Sequence, residues 1–286
     1  MIRGAATSLV VLALSASVAS AAEIIILDGK TSPESLTVTR DGRIMTSSFA
    51  GATVHVLKKG ATTAETFVDL RSDGGGFVLG VLADAPTNTL WACHVTPAPN
   101  GRRSNLRAFD LKTGAQKLKW DLPGDTSNCN DFSVGPDKAL YIADTGGKLY
   151  RLPRGSQTAE LLLEGPALNG VDGITFLNRV LYVNNIFQGK VYRIPLDRSG
   201  KAGAPVEIAL DAALGRPDGM RSAKGKLFVA EGSGGKISML TLKGDSAHVT
   251  VLKDGLQQPT AVEPVGNTLW FNEVKTGKVW SIPMPK

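Results

Sequence analysis

Leu140-Tyr141-Ile142-Ala143-Asp144-Thr145-Gly146-Gly147-Lys148-Leu149-Tyr150-Arg151-Leu152 is the stretch on which the reading of the fold turns. It holds two short apolar runs joined by a Gly-containing turn, the pattern of an antiparallel strand pair. The first run, Leu-aromatic-aliphatic, returns as Leu90-Trp91-Ala92, Leu181-Tyr182-Val183, Leu227-Phe228-Val229 and Leu269-Trp270-Phe271, with a degenerate first copy at Ile44-Met45-Thr46. The second run follows each copy, for example as Val54-His55-Val56-Leu57 and Val191-Tyr192-Arg193-Ile194. A third strand precedes each copy, clearest at Glu34 to Val38, Asp131 to Val134, Gly173 to Phe176, Gly219 to Ser222 and Thr260 to Val262. A fourth closes most repeats, as at Glu65 to Leu70 and Val206 to Leu210. No long segment carries a 3.6-residue apolar period. Six repeats of four short strands, spaced by roughly 45 residues, predict an all-β chain folded as a six-bladed β-propeller of four-stranded blades.

The sixth repeat stops after its third strand, at Met284-Pro285-Lys286, while Glu23-Ile24-Ile25-Ile26-Leu27 belongs to no repeat. That N-terminal strand is expected to pair beside Val279–Ile282 and close the ring, hiding a sheet edge. Ahead of it, Arg3 and the apolar run Leu9 to Leu14 lead to Ala19-Ser20-Ala21, a small-residue cleavage pattern. Residues 1–21 therefore read as a signal peptide and 22–286 as one propeller domain, periplasmic or secreted. The apolar run is too short to span a bilayer comfortably, so no membrane association is expected after cleavage.

A hydrophobic content of 42% excludes a disordered chain, and 32 Gly with 15 Pro suit a turn-rich β protein. The net charge of +6 is scattered singly or in pairs, so a solvated surface is expected rather than nucleic-acid binding. Three His and two Cys leave little for a zinc site. Cys93 and Cys129 fall on the same face of neighbouring blades, and an oxidising compartment permits their disulfide; two free thiols remain the alternative.

In a propeller the innermost strand of each blade lines the central channel, and the residues entering those strands converge at one mouth. In repeat register these are Glu34, Leu79, Asn130, Asp172, Asp218 and Thr260. Carboxylates gathered in a narrow, partly dry mouth repel one another, and a divalent cation relieves that repulsion. Oxygen-only donors favour Ca²⁺ over Mg²⁺ or Mn²⁺. Asp and Asn before Gly are also ordinary turn residues, so Asp172-Gly173 and Asp218-Gly219 admit that plainer reading. The ends of the second strands return to the same mouth and add Ser47, His94, Asp144, Asn185, Glu231 and Glu273 as rim candidates. His94 is the one that could titrate near neutrality; it is named as a candidate substrate contact, although a lone His is more often structural.

At these residues the sequence resembles the senescence marker protein/gluconolactonase (regucalcin-like) family. Pro33-Glu34-Ser35 is similar to the family's first-blade segment with a metal-binding Glu. Asn130-Asp131, followed by Val134 and Pro136, looks like its Asn-Asp motif, whose Asn contacts substrate near the metal. Arg216-Pro217-Asp218-Gly219-Met220 resembles its Pro-Asp-Gly segment, whose Asp binds metal and is the proposed general base. The remaining ligand, an Asn before Gly and an apolar residue, has two counterparts: Asn169 matches by letters and Asp172 by repeat register. The substrate-binding Arg of many relatives, two residues before the Asn-Asp motif, is replaced by Asn128. The resemblance thus implies Glu34, Asp218 and either Asp172 or Asn169 as metal ligands, with Asn130 at the substrate and sugar-lactone specificity not carried over.

Two function classes follow. One is a metal-dependent hydrolase of a lactone or related ester, with a small-molecule substrate and Asp218 or Asp131 as the catalytic proton acceptor. The sequence lacks a G-x-S-x-G elbow, which leaves no competing covalent route of that type. The other class is a non-catalytic ligand- or protein-binding propeller. A lyase on a related scaffold is a third and weaker option.

Overall fold

The computed structural model describes residues 22–25 and 31–285. The expected signal segment lies outside them, as do Ile26 and Leu27. The strands group into six sheets. Blade 1 is β2 (Pro33–Val38), β3 (Ile44–Ser48), β4 (Thr53–Leu57) and β5 (Glu65–Asp69). Blade 2 is β6 (Phe77–Asp84), β7 (Thr89–Ala98), β8 (Gly101–Asp110) and β9 (Gln116–Asp121). Blade 3 is β10 (Cys129–Val134), β11 (Leu140–Asp144), β12 (Gly146–Leu152) and β13 (Glu160–Asn169). Blade 4 is β14 (Val171–Leu177), β15 (Val180–Asn185), β16 (Lys190–Ile194) and β17 (Val206–Glu207). Blade 5 is β19 (Pro217–Ala223), β20 (Lys226–Glu231), β21 (Lys236–Lys243) and β22 (Ser246–Lys253). Blade 6 is β23 (Val262–Val265), β24 (Thr268–Glu273) and β25 (Lys278–Pro283), completed by β1 (Ala22–Ile25).

The closing strand is in the expected place: Ile24 pairs with Val279 and Glu23 with Trp280, antiparallel. Two strand readings need correction. The run Val206–Leu210 is divided between blades. β17 edges blade 4, whereas β18 (Ala209–Leu210) runs parallel to β22 on the outer edge of blade 5. Ile208 is the pivot; its N–H donates to Val191 O at 2.9 Å and its side chain is buried between the blades. In blade 6, Thr260 and Ala261 precede the inner strand instead of opening it, because Asn272 Oδ1 takes both of their N–H groups, at 3.3 and 2.7 Å.

The apolar core is a ring of clusters set between neighbouring blades. Leu140 and Ile142 pack toward blade 2, while Tyr141 and Ala143 on the same strand pack toward blade 4. Alternate residues of a strand point to opposite faces, and here both faces are covered. This is why the signature runs are apolar throughout instead of alternating with polar residues.

Candidate metal and substrate site at the channel mouth

The inner strand carries a register shift at the same place in five blades. It falls between Pro33 and Leu36, Val78 and Val81, Cys129 and Asp131, Val171 and Ile174, and Pro217 and Met220. The residues released from pairing include Glu34, Leu79, Asn130, Asp172 and Asp218. A β-bulge frees a side chain from the ladder and re-aims it, so five positions of the expected ring are generated by one repeated backbone device. The glycine that follows Asp172 or Asp218 is not a turn residue. A Cβ on Gly173 would stand 2.6 Å from Asp218 O, and one on Gly219 2.6 Å from Thr260 O. Each glycine is there because the next blade's backbone approaches too closely for any side chain.

Side chains opposite the bulges staple blade to blade. Asn184 Oδ1 accepts Gly173 N–H at 2.9 Å while its amide donates to Asp218 O. Asn272 Nδ2 donates to Glu34 O at 3.1 Å. In blade 2 the corresponding residue is Cys93, which forms a buried disulfide with Cys129 of blade 3, Cα–Cα 5.3 Å. The staple is thus covalent immediately beside Asn130.

The second-strand ends, read as rim groups, serve the loops instead. Asp144 Oδ1 accepts Asn128 N–H at 2.9 Å, Glu231 Oε2 accepts Gly215 N–H at 2.6 Å, and Glu273 Oε1 accepts Gln257 N–H at 2.6 Å. His94 belongs to this class, which corrects its reading as a substrate contact. It is fully buried, with Nε2 2.8 Å from Gly75 O and Nδ1 3.4 Å from Arg107. Burial lowers its pKa, and the Gly75 bond only partly opposes that. It holds the loop before β6 and does not reach the mouth.

Glu34, Asn130, Asp172, Asp218 and Thr260 do meet, around a cavity of about 380 Å³ at the mouth. Beneath it a space of about 10 Å³, room for roughly one water, is bounded by Glu34, Asn130, Asp131, Asp172 and Asp218. Asn130 Nδ2 donates to Asp172 Oδ2 at 2.8 Å and to Thr145 Oγ1 at 3.1 Å. Glu34 Oε2 and Asp172 Oδ1 are buried without a hydrogen-bond donor. Desolvation pushes the Glu34 carboxyl well above its ordinary pKa, reinforced by the charges of Asp172 and Asp131. Asp172 is raised by burial and then by Asp218, Asp218 by burial and then by Glu34. Among the described residues no three His, Cys, Asp or Glu side chains already form a group able to hold a metal ion. The like charges of Asp172 and Asp218 raise the pKa of Asp172 further.

Asp131 is a correction. Arg221 donates to both of its oxygens, Nη1 to Oδ2 at 2.6 Å and Nη2 to Oδ1 at 2.9 Å, and Ile174 N–H adds a third bond at 3.2 Å. Arg221 Nε also lies 3.3 Å from Glu263 Oε2. A carboxylate so engaged in the channel, one layer below the ring, is committed to this ion pair and to the neighbouring blade's backbone instead of to a substrate. Asn169 is a second correction. Its side chain is exposed, and its carbonyl accepts Asn185 Nδ2 at 2.8 Å. Asp172, not Asn169, faces the mouth.

The SMP-30/Gluconolactonase/LRE-like region family matches residues 103–270, more than half of the chain. The chain belongs to this family. No curated protein matches it. Among solved structures, the calcium-binding protein regucalcin from Agrobacterium tumefaciens is 17% identical, covering 91% of this chain and 93% of its own, with a TM-score of 0.70. Virginiamycin B lyase from Staphylococcus aureus is 16% identical over 93% of this chain and 99% of its own, TM-score 0.66. The PQQ-bound aldose sugar dehydrogenase from Streptomyces coelicolor is 17% identical over 93% and 98%, TM-score 0.63. Such different activities at such low identity make these likenesses of fold, so chemistry has to be argued from the site. In this member of the SMP-30/gluconolactonase family the wall of that site includes two arginines that sequence reasoning did not assign to it, Arg102 and Arg216. Arg102 comes from the long β7–β8 hairpin, and its only sequence signal was that the interval between the second and third repeats is the longest of all.

Proposed function

We propose that the chain is an exported, metal-dependent hydrolase of a lactone or related ester, with a divalent cation, Ca²⁺ in preference to Mg²⁺ or Mn²⁺, held by Glu34, Asp172 and Asp218. The observation that carries this reading is the set of buried carboxylates around one small space, two of whose oxygens have no donor. Buried charge is tolerated when it is paired or coordinates metal. Hard oxygen donors without Cys or His suit Ca²⁺, and binding needs the three carboxyls deprotonated and a small rotation of their side chains toward one another. A divalent cation at such a site polarises the scissile carbonyl and lowers the pKa of an attacking water.

The side chains supply the rest. Asn130 fixes Asp172 Oδ2, leaving Oδ1 for the cation. Asp218 borders the small space, the mouth cavity and the cleft beyond it, so it is the carboxylate best placed to accept a proton from incoming water. Gly219 N–H donates to Asp218 Oδ1 at 3.1 Å and leaves Oδ2 for that task. Leu79, Ile186 and Val274 line the cavity and exclude bulk water from one side of the substrate. Export rests on the leader-like N-terminus and is supported by the bonded cysteines, which suit an oxidising compartment. The substrate is a small molecule; neither nucleic acid nor, once the leader is removed, membrane is a partner.

Elemental analysis of the purified protein and a panel of lactones and aryl esters test the reading. Bound Ca²⁺, loss of turnover with chelator and recovery on adding Ca²⁺ are expected. Asp218→Asn should lower metal content and reduce turnover by about 10²–10⁴-fold if Asp218 is also the base, with no rescue by excess metal. A protein that binds none of the three cations and turns over none of the panel would leave the non-catalytic propeller.

A further inference from the structure

The mouth cavity combines an acidic floor with a rim of the opposite sign. Arg102 enters from β8, its guanidinium 5.0 Å above the ring of Phe77, which stacks on Phe49 at 4.8 Å. Its backbone is held by Ser127 N–H, 3.0 Å from Arg102 O. Stacking on an aromatic face orients a guanidinium without neutralising it; Arg103, next in the chain, instead pairs with Asp125 at 3.4 Å. Arg216 stands across the cavity at the entrance to β19. Its φ of +55° is a left-handed conformation uncommon for a side-chain residue, and Gly232 N–H donates to its carbonyl at 3.0 Å. Its charge reaches Asp172 and Asp218 without an ion pair to either. The cavity that both arginines line also has apolar wall residues, among them Leu79, Ile186 and Val274. The two exposed phenylalanines among the described residues, Phe49 and Phe187, are 46% and 66% accessible and both lie at this cavity. Exposed aromatics beside unpaired guanidiniums mark a ligand surface rather than a solvated one.

We propose that the ligand of this site is an amphipathic oxyanion: an apolar body lying against Phe49 and Phe187, with a carboxylate or phosphate held at the rim by Arg102 or Arg216 instead of by the acidic floor. The floor cannot take that group, since three carboxylates and one divalent cation leave it no more than neutral. Among the described residues that line the cavity, the positive charges are Arg102 and Arg216. A guanidinium fork binds either oxyanion through two parallel N–H donors. In its turnover form the proposal rests on the hydrolase reading; in its binding form it does not.

The turnover experiment compares the 4-nitrophenyl half-ester of adipic acid with its neutral carboxamide counterpart. The wild type should favour the anionic ester at least ~10-fold in kcat/KM at low salt, and the preference should fall as salt rises. In the double variant Arg102→Gln/Arg216→Asn the ratio should collapse to about 1; Asn is chosen at 216 because it tolerates a left-handed φ. The binding experiment titrates phenylacetate, phenyl phosphate and neutral phenylacetamide by calorimetry. At least one anion should bind more tightly than the amide and lose that advantage in the double variant. Arginine-dependent anion binding by a protein that hydrolyses neither ester would keep this proposal in its binding form, and the lactone and aryl-ester panel would then decide the hydrolase reading separately. Equal use of both esters, or an anion preference that survives the double variant, overturns the proposal and leaves the hydrolase reading standing.

Discussion

Glu34, Asp172 and Asp218 at the mouth and Asp131 and Glu263 one layer below are all buried carboxylates, but only the lower pair has a cation between them. Arg221 bonds both oxygens of Asp131 and lies 3.3 Å from Glu263, which also accepts from Thr37 Oγ1 at 3.4 Å. Burial would lower the pKa of Arg221, yet the two carboxylates outweigh it and hold the guanidinium charged. Burial raises Glu263 to about 6, with Arg221 pulling the other way. The upper layer is buried too, but no guanidinium bonds its carboxylates; Arg216 acts on Asp172 and Asp218 only through its charge. The lower layer carries its own cation and fastens blades 3, 5 and 6 across the channel, although Glu263 Oε2 and Arg221 Nε make no hydrogen bond. The upper layer is complete only with protons or with a cation from outside, and that distinguishes a site from a strut.

The sharpest break in this comparison is Arg221→Met. It leaves Asp131 and Glu263 buried without their cation and should cost about 3–5 kcal/mol in denaturant unfolding. Adding Asp131→Asn and Glu263→Gln should recover most of that loss, because the orphaned charges go with the cation. A cost below about 1 kcal/mol would mean the lower layer is no more settled than the upper.

Gly219→Ala probes the backbone of the upper layer. Its new Cβ would meet Thr260 O at 2.6 Å, forcing blades 5 and 6 apart beside Asp218, and a loss of about 1–3 kcal/mol is expected. Gly51→Ala, with nothing within 4 Å, should stay within about 0.5 kcal/mol. Equal effects at the two glycines would show that the ring does not depend on this close approach.

The ring was legible in the sequence because the repeat carries a register: one bulge, repeated, puts Glu34, Asn130, Asp172 and Asp218 at equivalent places. The same register made Asp172 a candidate beside Asn169, and the structure puts Asp172 at the mouth. The roles of Asp131 and His94 were not legible. Asp131 follows Asn130 directly, and along a strand one residue changes the face a side chain points to, so nothing in the local letters says that its partner is Arg221, ninety positions on. His94 occupies the position at which Glu231 and Glu273 also grip a loop. Whether such a side chain meets a loop or a cavity depends on the path of the loop between blades, which repeat spacing does not encode. Arg102 and Arg216 escaped for the same reason, since each reaches the mouth from outside the ring.

Asp218→Asn separates the layers more gently. Without metal it removes one buried carboxylate from an uncompensated set, so the variant should be more stable than wild type at neutral pH, by about 1 kcal/mol. With saturating Ca²⁺ the order should reverse, since the variant loses a ligand and with it the stabilisation that binding confers. The pair of unfolding curves, with chelator and with Ca²⁺, checks both. A variant less stable than wild type in chelator would place Asp218 among the paired groups of the lower layer.

The smallest effect is in the pH dependence, where the sign is unusual. Burial and mutual repulsion raise the folded-state pKa of Glu34, Asp172 and Asp218 above their unfolded values. Between the unfolded and the folded pKa the folded protein holds more protons, so its stability falls as pH rises through that window and levels off above it. Carboxylates with lowered pKa, such as Asp137 with Arg151 and Asp211 with His248, act in the opposite sense and lose their contribution only as pH falls through the acid range. From about pH 4.5 upward, near the unfolded carboxylate values, the mouth, joined by Glu263 at about 6, should therefore dominate. In chelator, Tm of the wild type should drop by a few degrees toward pH 8, and more steeply than that of Asp218→Asn, so the two curves diverge with rising pH. Ca²⁺ ligation needs the deprotonated carboxylates, so the rise in Tm that it produces should grow over the same range. Parallel wild-type and variant curves between pH 4.5 and 8 would show that the upper carboxylates are as well compensated as the lower ones.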